Sequence, residues 1–357
     1  MKGSNATPGC DFSRVRCDTE VYEEEDFLFG DVFQYGLQVL TEYLYKKTLP
    51  EDKPYNLLLG KLLEFVEEER SIKIDPQKLS ETELTMLLAN HLFGKLATSC
   101  CYVVDKSYAK EREDQCFCED KSCKMTGQYG DTSVGNVEVW HGNLDIFIKN
   151  ELIVEPVEDK PDSPGGKAEE KVKSSVLSGN PQIIAQTIVF SFLQKHTHPE
   201  REHFLTPCIG VGNTTMFVMF YDSEHDVILE SSHIPLFQKT GPSKYEFDDA
   251  AILVSWFAVN YKFLSSGLTE AMRKYKGLFF TEAKDKLNVY EEKLRLGNVI
   301  RSLPTQILKK KSLQFSSFLE EQENKLIEII HREKREQKVI DKEGVDDQSE
   351  AGPSSTN

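Results

Sequence analysis

The stretch 144–154, LDIFIKNELIV, constrains the fold of this chain more than any other. From Val137 to Ile148 the sequence first alternates and then turns wholly apolar, the pattern of a strand that passes into a buried position. Asn150 marks a tight turn, and Leu152, Ile153 and Val154 read as the return strand. A buried hairpin needs cover on its faces, and helical patterns lie on both sides of it in sequence.

Upstream, Val32, Phe33, Leu37, Leu40 and Leu44 recur at three- and four-residue steps and predict a helix over 30–48. Pro50 and Pro54 bound the link to a second helix at about 55–69. A third is expected at 81–98, with Ser80 and Glu83 as a capping box. Cys101 to Val104 is a short strand candidate, and 105–135 reads as polar loop. Residues 155–167, EPVEDKPDSPGGK, read as a solvated insertion, and 168–176 as another short strand. Asn180-Pro181 is a strong helix start, and that helix runs to about Gln194. Three strands follow, Leu205 to Val211, Met216 to Tyr221 and Val227 to Leu229, then helices at 249–264, 267–282 and 305–340.

The expected organisation is therefore α/β. A polar tail covers 1–26, a helical region 27–80, a mixed-sheet core 81–240, a C-terminal helical region 241–340 and a second tail 341–357. The formal net charge of −16 excludes a protein that neutralises phosphates over its whole surface, though not one with a local basic groove. It also disfavours anionic membranes. The most apolar run, AAILVSWFAV at 250–259, falls well short of the ~20 residues a bilayer span needs. The opening MKGSNATPGC has no apolar core of signal length, so the expected compartment is intracellular, cytoplasmic or nuclear. The sequence has no Walker loop, no Gly-x-Gly-x-x-Gly and no Gly-x-Ser-x-Gly elbow.

Asp145 stands where the mixed strand becomes apolar. Two acid-x-Lys triplets follow, Glu158-Asp159-Lys160 and Glu169-Glu170-Lys171, and then a helix with Gln182 and Gln186 one turn apart. Phosphodiester hydrolysis gives this set a physical purpose. Two carboxylates on adjacent strands can share Mg²⁺, which takes hard oxygen ligands and activates a bound water. A Lys two residues after the second acid lies on the same strand face and can serve the water or the developing charge. A Gln on the next helix can hold either through neutral hydrogen bonds.

Gly142-x-x-Asp145, a Glu-x-Lys triplet and Gln186-x-x-x-Phe190, in this order, resemble the PD-(D/E)XK nuclease superfamily, especially its RecB-like branch. The resemblance covers about 81–230 and implies a restriction-endonuclease-like mixed-sheet core. It implies metal ligation by Asp145 and Glu169, with Lys171 and Gln186 completing the catalytic set and Glu158 with Lys160 as the alternative pair. Glu83 and His91 match the upstream helix that often adds a ligand, and His91 is the candidate for Mg²⁺. Phe190 stands where the family usually has Tyr, and Asp159 or Glu170 stands where it usually has an apolar residue. The implied activity is Mg²⁺-dependent cleavage of nucleic acid. The alternative is an inactive nuclease fold that binds protein or nucleic acid.

Two further features bear on partners. Cys116, Cys118 and Cys123, with Cys100 and Cys101 upstream, could bind Zn²⁺ through thiolates, hold an iron–sulfur cluster or remain free thiols in a polar loop. Residues 301–340 hold nine Lys or Arg and six Glu. With Phe315, Leu319, Leu326 and Ile330 they form a locally basic helix suited to self-association or a protein partner, or to a phosphate backbone.

Overall fold

The computed structural model describes residues 27–67, 71–98, 102–109, 116–148, 152–156, 181–241 and 244–297, apart from the single positions 73, 119, 121 and 213. The tails at 1–26 and 341–357, the triplets at 158–160 and 169–171, the strand at 168–176 and the helix at 305–340 lie outside these residues. All described residues fall in one compact unit, Met1–Pro304. Among them no helix is long and apolar enough to cross a membrane.

The N-terminal helices are α1 (Phe29–Val32), α2 (Gln34–Lys46) and α3 (Lys53–Glu67), followed by β1 (Ser71–Ile72). Phe33 breaks the single helix expected at 30–48. Its ring is fully buried and lies 4.8 Å from Phe29 and 5.1 Å from Phe257, so aromatic packing outweighs helix continuity there. Helix α4 (Glu81–Leu88) starts on the expected capping box: Glu83 N–H donates to Ser80 Oγ at 3.3 Å and Ser80 N–H to Glu83 Oε2 at 2.9 Å. One π turn, Ala89–Phe93, joins it to α5 (Gly94–Leu96).

The core strands are β2 (Tyr102–Asp105), β3 (Gln128–Gly130), β4 (Ser133–Gly135), β5 (His141–Asn143), β6 (Ile146–Ile148) and β7 (Leu152–Pro156). Helix α6 (Pro181–Thr197) leads to β8 (Leu205–Val211), β9 (Thr215–Asp222), β10 (Val227–Glu230), β11 (Ile234–Pro235), β12 (Phe237–Gly241) and β13 (Lys244–Phe247). The chain then forms α7 (Asp249–Val259), α8 (Tyr261–Leu264), α9 (Phe279–Ala283), α10 (Leu287–Glu292) and β14 (Arg295–Leu296). The central mixed sheet runs β10-β9-β8-β7-β6-β2-β3, with β11 added on β9. Its parallel pairs are β7 with β8, reached through α6, and β2 with β3.

Period-two alternation sorts the two faces of the sheet. Ile146, Ile148, Leu152 and Val154 join the core shared with α3, α4 and α7. Phe147 and Ile153 join the core under α6 and α10. The result is a sheet between two helical layers.

Four further expectations change. The single strand at 137–148 is two, because β5 pairs with β4 in a separate small sheet and Leu144–Asp145 bridges to β6. Glu155 and Pro156 belong to β7, not to an insertion, because the ladder to β8 continues through Glu155↔Gly210 and Pro156↔Val211. The loop at 105–135 contains β3 and β4. The helix at 267–282 is broken: Gly267 has φ +75°, and a Cβ there would stand 2.8 Å from the His203 ring. Only a 3-10 turn at Met272–Lys274 and α9 remain helical in that stretch.

His203, packed beside Gly267, makes stability depend on pH. Its Nε2 donates to Ser265 O at 3.2 Å, its Nδ1 has no partner, and burial holds its pKa below the ordinary value of 6.5. The unfolded chain therefore binds the proton more readily. This contribution is complete above about pH 6.5 and is lost as pH falls from there towards the folded-state pKa. Thermal melts at pH 7.5 and 5.0 should show a larger drop in the parent than in His203→Gln. Equal drops would remove His203 as the cause.

Candidate functional site

The register of the β6–β7 hairpin determines which carboxylates meet. Ile146 pairs with Val154 and Ile148 with Leu152; the turn expected at Asn150 lies outside the described residues. One step further, Asp145 stands opposite Glu155. Asp145 shares the parity of Phe147, and Glu155 that of Ile153, so both belong to the α6 side. Asp145 N–H donates to Glu155 Oε1 at 2.9 Å, and Asp145 Oδ1 accepts from the Tyr108 hydroxyl. Both acids are buried, at 6 % and 2 % exposure.

The pair is electrostatically tense. Burial, and then the charge of Asp145, push the Glu155 carboxyl well above its ordinary pKa. Glu155 Oε2 has no hydrogen-bond partner, nor has either amide atom of Gln186. Gln186 is 1 % exposed and its amide faces Glu155 without reaching hydrogen-bond geometry. Native proteins rarely bury polar atoms without partners, and such atoms concentrate at functional sites. A divalent cation would replace the proton on Glu155 and satisfy its free oxygen. The oxygen donors of Asp145, Glu155 and Gln186 suit a hard ion such as Mg²⁺.

Asp105 extends the network. Its N–H donates to Asp145 O at 3.0 Å. Its carboxylate accepts from Ser107 N–H at 2.7 Å, Asn143 Nδ2 at 2.7 Å and the Thr132 hydroxyl at 2.8 Å. A cavity of about 1040 Å³ opens beside this network. Asp105, Asn143, His141, Gln182, Gln186 and Arg295 are among the residues that line it. Asp145 and Glu155 do not line it, whereas their neighbours Asp105 and Gln186 do.

The structure thus joins Asp145 and Gln186 and adds Glu155, which sequence reasoning passed over. Glu158, Lys160, Glu169 and Lys171 lie outside the described residues. Two residues after Glu155 the chain has Val157 where the resemblance implies Lys. Phe190 is a core residue: it is fully buried and meets Phe147 edge to face at 5.2 Å.

His91 does not accompany the carboxylates. It sits on the π turn with its Nε2 3.1 Å from Cys116 Sγ and 3.5 Å from Cys123 Sγ. With Cys118 these residues place four donor atoms within 4.8 Å of one another, a cluster that could hold a metal ion. Burial lowers the His91 pKa, raises that of the Cys116 thiol and pushes the Cys123 thiol up to about 12. Cys100 and Cys101 lie outside the described residues. The sequence offered no spacing signal for His91 as the fourth donor, because it is supplied from a helix 25 residues before Cys116. Comparison with protein families, with curated proteins and with solved structures finds no match to this chain.

Proposed function

We propose that the chain is a metal-dependent phosphodiesterase acting on nucleic acid, with Mg²⁺ held by Asp145 and Glu155 and oriented by Gln186. The observation that carries this reading is the buried Asp145–Glu155 pair beside an amide with no partner. The strand order β2-β6-β7-β8, with α6 crossing between the parallel strands β7 and β8, supports a restriction-endonuclease-like core. Mg²⁺ would supply an activated water and neutralise charge on the cleaved phosphate. Arg295 and His141 line the cavity and would supply donors to phosphate oxygens. The cluster of His91, Cys116, Cys118 and Cys123 is a different class of site, and its soft donors point to Zn²⁺.

Purified full chain with Mg²⁺ or Mn²⁺ should cut single- or double-stranded substrate, and Asp145→Asn should stop it. Cutting that survives Asp145→Asn rejects this site. A second reading, an inactive nuclease fold that binds nucleic acid, draws on Val157 and on the absence of both carboxylates from the cavity wall. It is the outcome if wild-type protein binds with a steep salt dependence but does not cut.

A further inference from the structure

We propose that His91, Cys116, Cys118 and Cys123 form a closed, structural Zn²⁺ centre, and that this ion fastens the edge strand β3, which leads into the cavity wall at Asp131. The proposal does not depend on hydrolysis at Asp145. Zn–S bonds of about 2.3 Å and Zn–N bonds of about 2.0–2.1 Å set tetrahedral donor atoms roughly 3.5–3.8 Å apart. The observed 3.1 and 3.5 Å separations, within a cluster no wider than 4.8 Å, need only small shifts. Three thiolates and one imidazole exclude Mg²⁺ and favour zinc. Four protein donors leave no open position for substrate, which marks a structural centre rather than a catalytic one. All four cysteines among the described residues are free, so no disulfide competes for these thiols.

The surroundings are built to present these donors. The π turn Ala89–Phe93 carries Asn90 and His91, and such bulges in helices frequently serve sites. Asn90 Nδ2 reaches Cys116 Sγ at 3.5 Å, Cys123 Sγ at 3.7 Å and Lys124 O at 3.4 Å. Its orientation is fixed from behind, since Asn90 Oδ1 accepts from the Tyr102 hydroxyl at 3.1 Å and Thr126 N–H at 3.0 Å. Outer hydrogen bonds of this kind hold metal ligands in place. Cys123 N–H donates to Asp120 O at 3.0 Å, which closes the turn between the ligands.

From the cluster the chain runs directly to the cavity. Thr126 is tied to Asn90, and Gly127 lies against the Tyr102 ring, where a Cβ would stand 2.1 Å from Cε2. β3 follows, pairing in parallel with β2 through Val103↔Gln128 and Asp105↔Gly130. Next come Asp131, which lines the cavity, and Thr132, whose hydroxyl reaches Asp105 and whose carbonyl accepts from Leu144 N–H. β3 is a three-residue strand at the edge of the sheet. A strand this short is anchored by what precedes it, and that anchor is the zinc loop.

The test uses full-length protein purified without chelators. One equivalent of zinc per chain is expected, and Co²⁺ exchanged for it should give the visible bands and thiolate charge-transfer absorption of a tetrahedral site. Cys118→Ser should lose the metal, while Cys208→Ser, outside the cluster, should keep it. If Cys118→Ser does not fold, chelation and zinc return on wild-type protein give the same readout. On zinc removal, amide exchange over 128–132 should rise about tenfold or more, with β8 and β9 unchanged. Protein that carries no metal and takes up no Co²⁺ overturns the site. Iron with acid-labile sulfide overturns zinc as the ion, and unchanged exchange over 128–132 overturns the link to the cavity wall.

Discussion

Glu155→Gln is expected to lower Mg²⁺-dependent cleavage by about 10²–10³-fold, or roughly 2.7–4 kcal/mol of barrier. The substitution keeps the size and shape of the side chain and removes the charge that would bind the cation. Gln can still accept the Asp145 N–H bond seen at 2.9 Å. The fold should therefore persist, with a melting temperature equal to or above that of wild type, because a buried group that resists ionisation has been made neutral. Single-turnover cleavage across a Mg²⁺ titration, paired with melting curves, reads both effects. An equal loss of activity and stability would mean that Glu155 is structural. Full activity in Glu155→Gln would move the metal elsewhere.

Phe190→Ala should cost about 3–5 kcal/mol, the range for removing a fully buried Phe. For a domain of this size that is roughly 6–20 °C in melting temperature. Phe190 is fully buried and stands edge to face with Phe147 at 87°. Phe147 lies in the hairpin and Gln186 one turn earlier on α6, so this contact sets the height of the Gln186 amide over the carboxylates. Cleavage should therefore fall further than the population of folded protein alone explains. Calorimetry and cleavage by the same sample check this. A shift under about 2 °C would show that the core closes over the gap.

Local patterns proved legible where one element's own chemistry decides it. The Ser80–Glu83 capping box, Pro181 as the first residue of α6 and the strand Leu205–Val211 all appear as read. The hairpin was also legible, and with it a signal for Glu155 that the acid-x-Lys pattern masked. The pairing of Ile146 with Val154 and of Ile148 with Leu152, extended by one step, sets Asp145 opposite Glu155 without reference to any Lys. Pro156 argued for a loop, yet it occupies the final position of a strand whose ladder to β8 it does not break. The helix at 267–282 failed for a different reason. Gly267 yields to the approach of His203, a residue 64 positions away.

By itself the sequence determined the alternation that puts Phe147, Ile153, Asp145 and Glu155 on one side of a hairpin, because side-chain direction along a strand follows from backbone geometry alone. It determined the helix starts for the same local reason. Only the tertiary structure decided that His91 joins Cys116, Cys118 and Cys123, and that Gln186 faces Glu155. Those meetings depend on how a π turn, a loop and a crossover helix pack on the sheet. Donor atoms from distant segments come within bonding range only when that packing is complete, and no spacing along the chain encodes the distance between them.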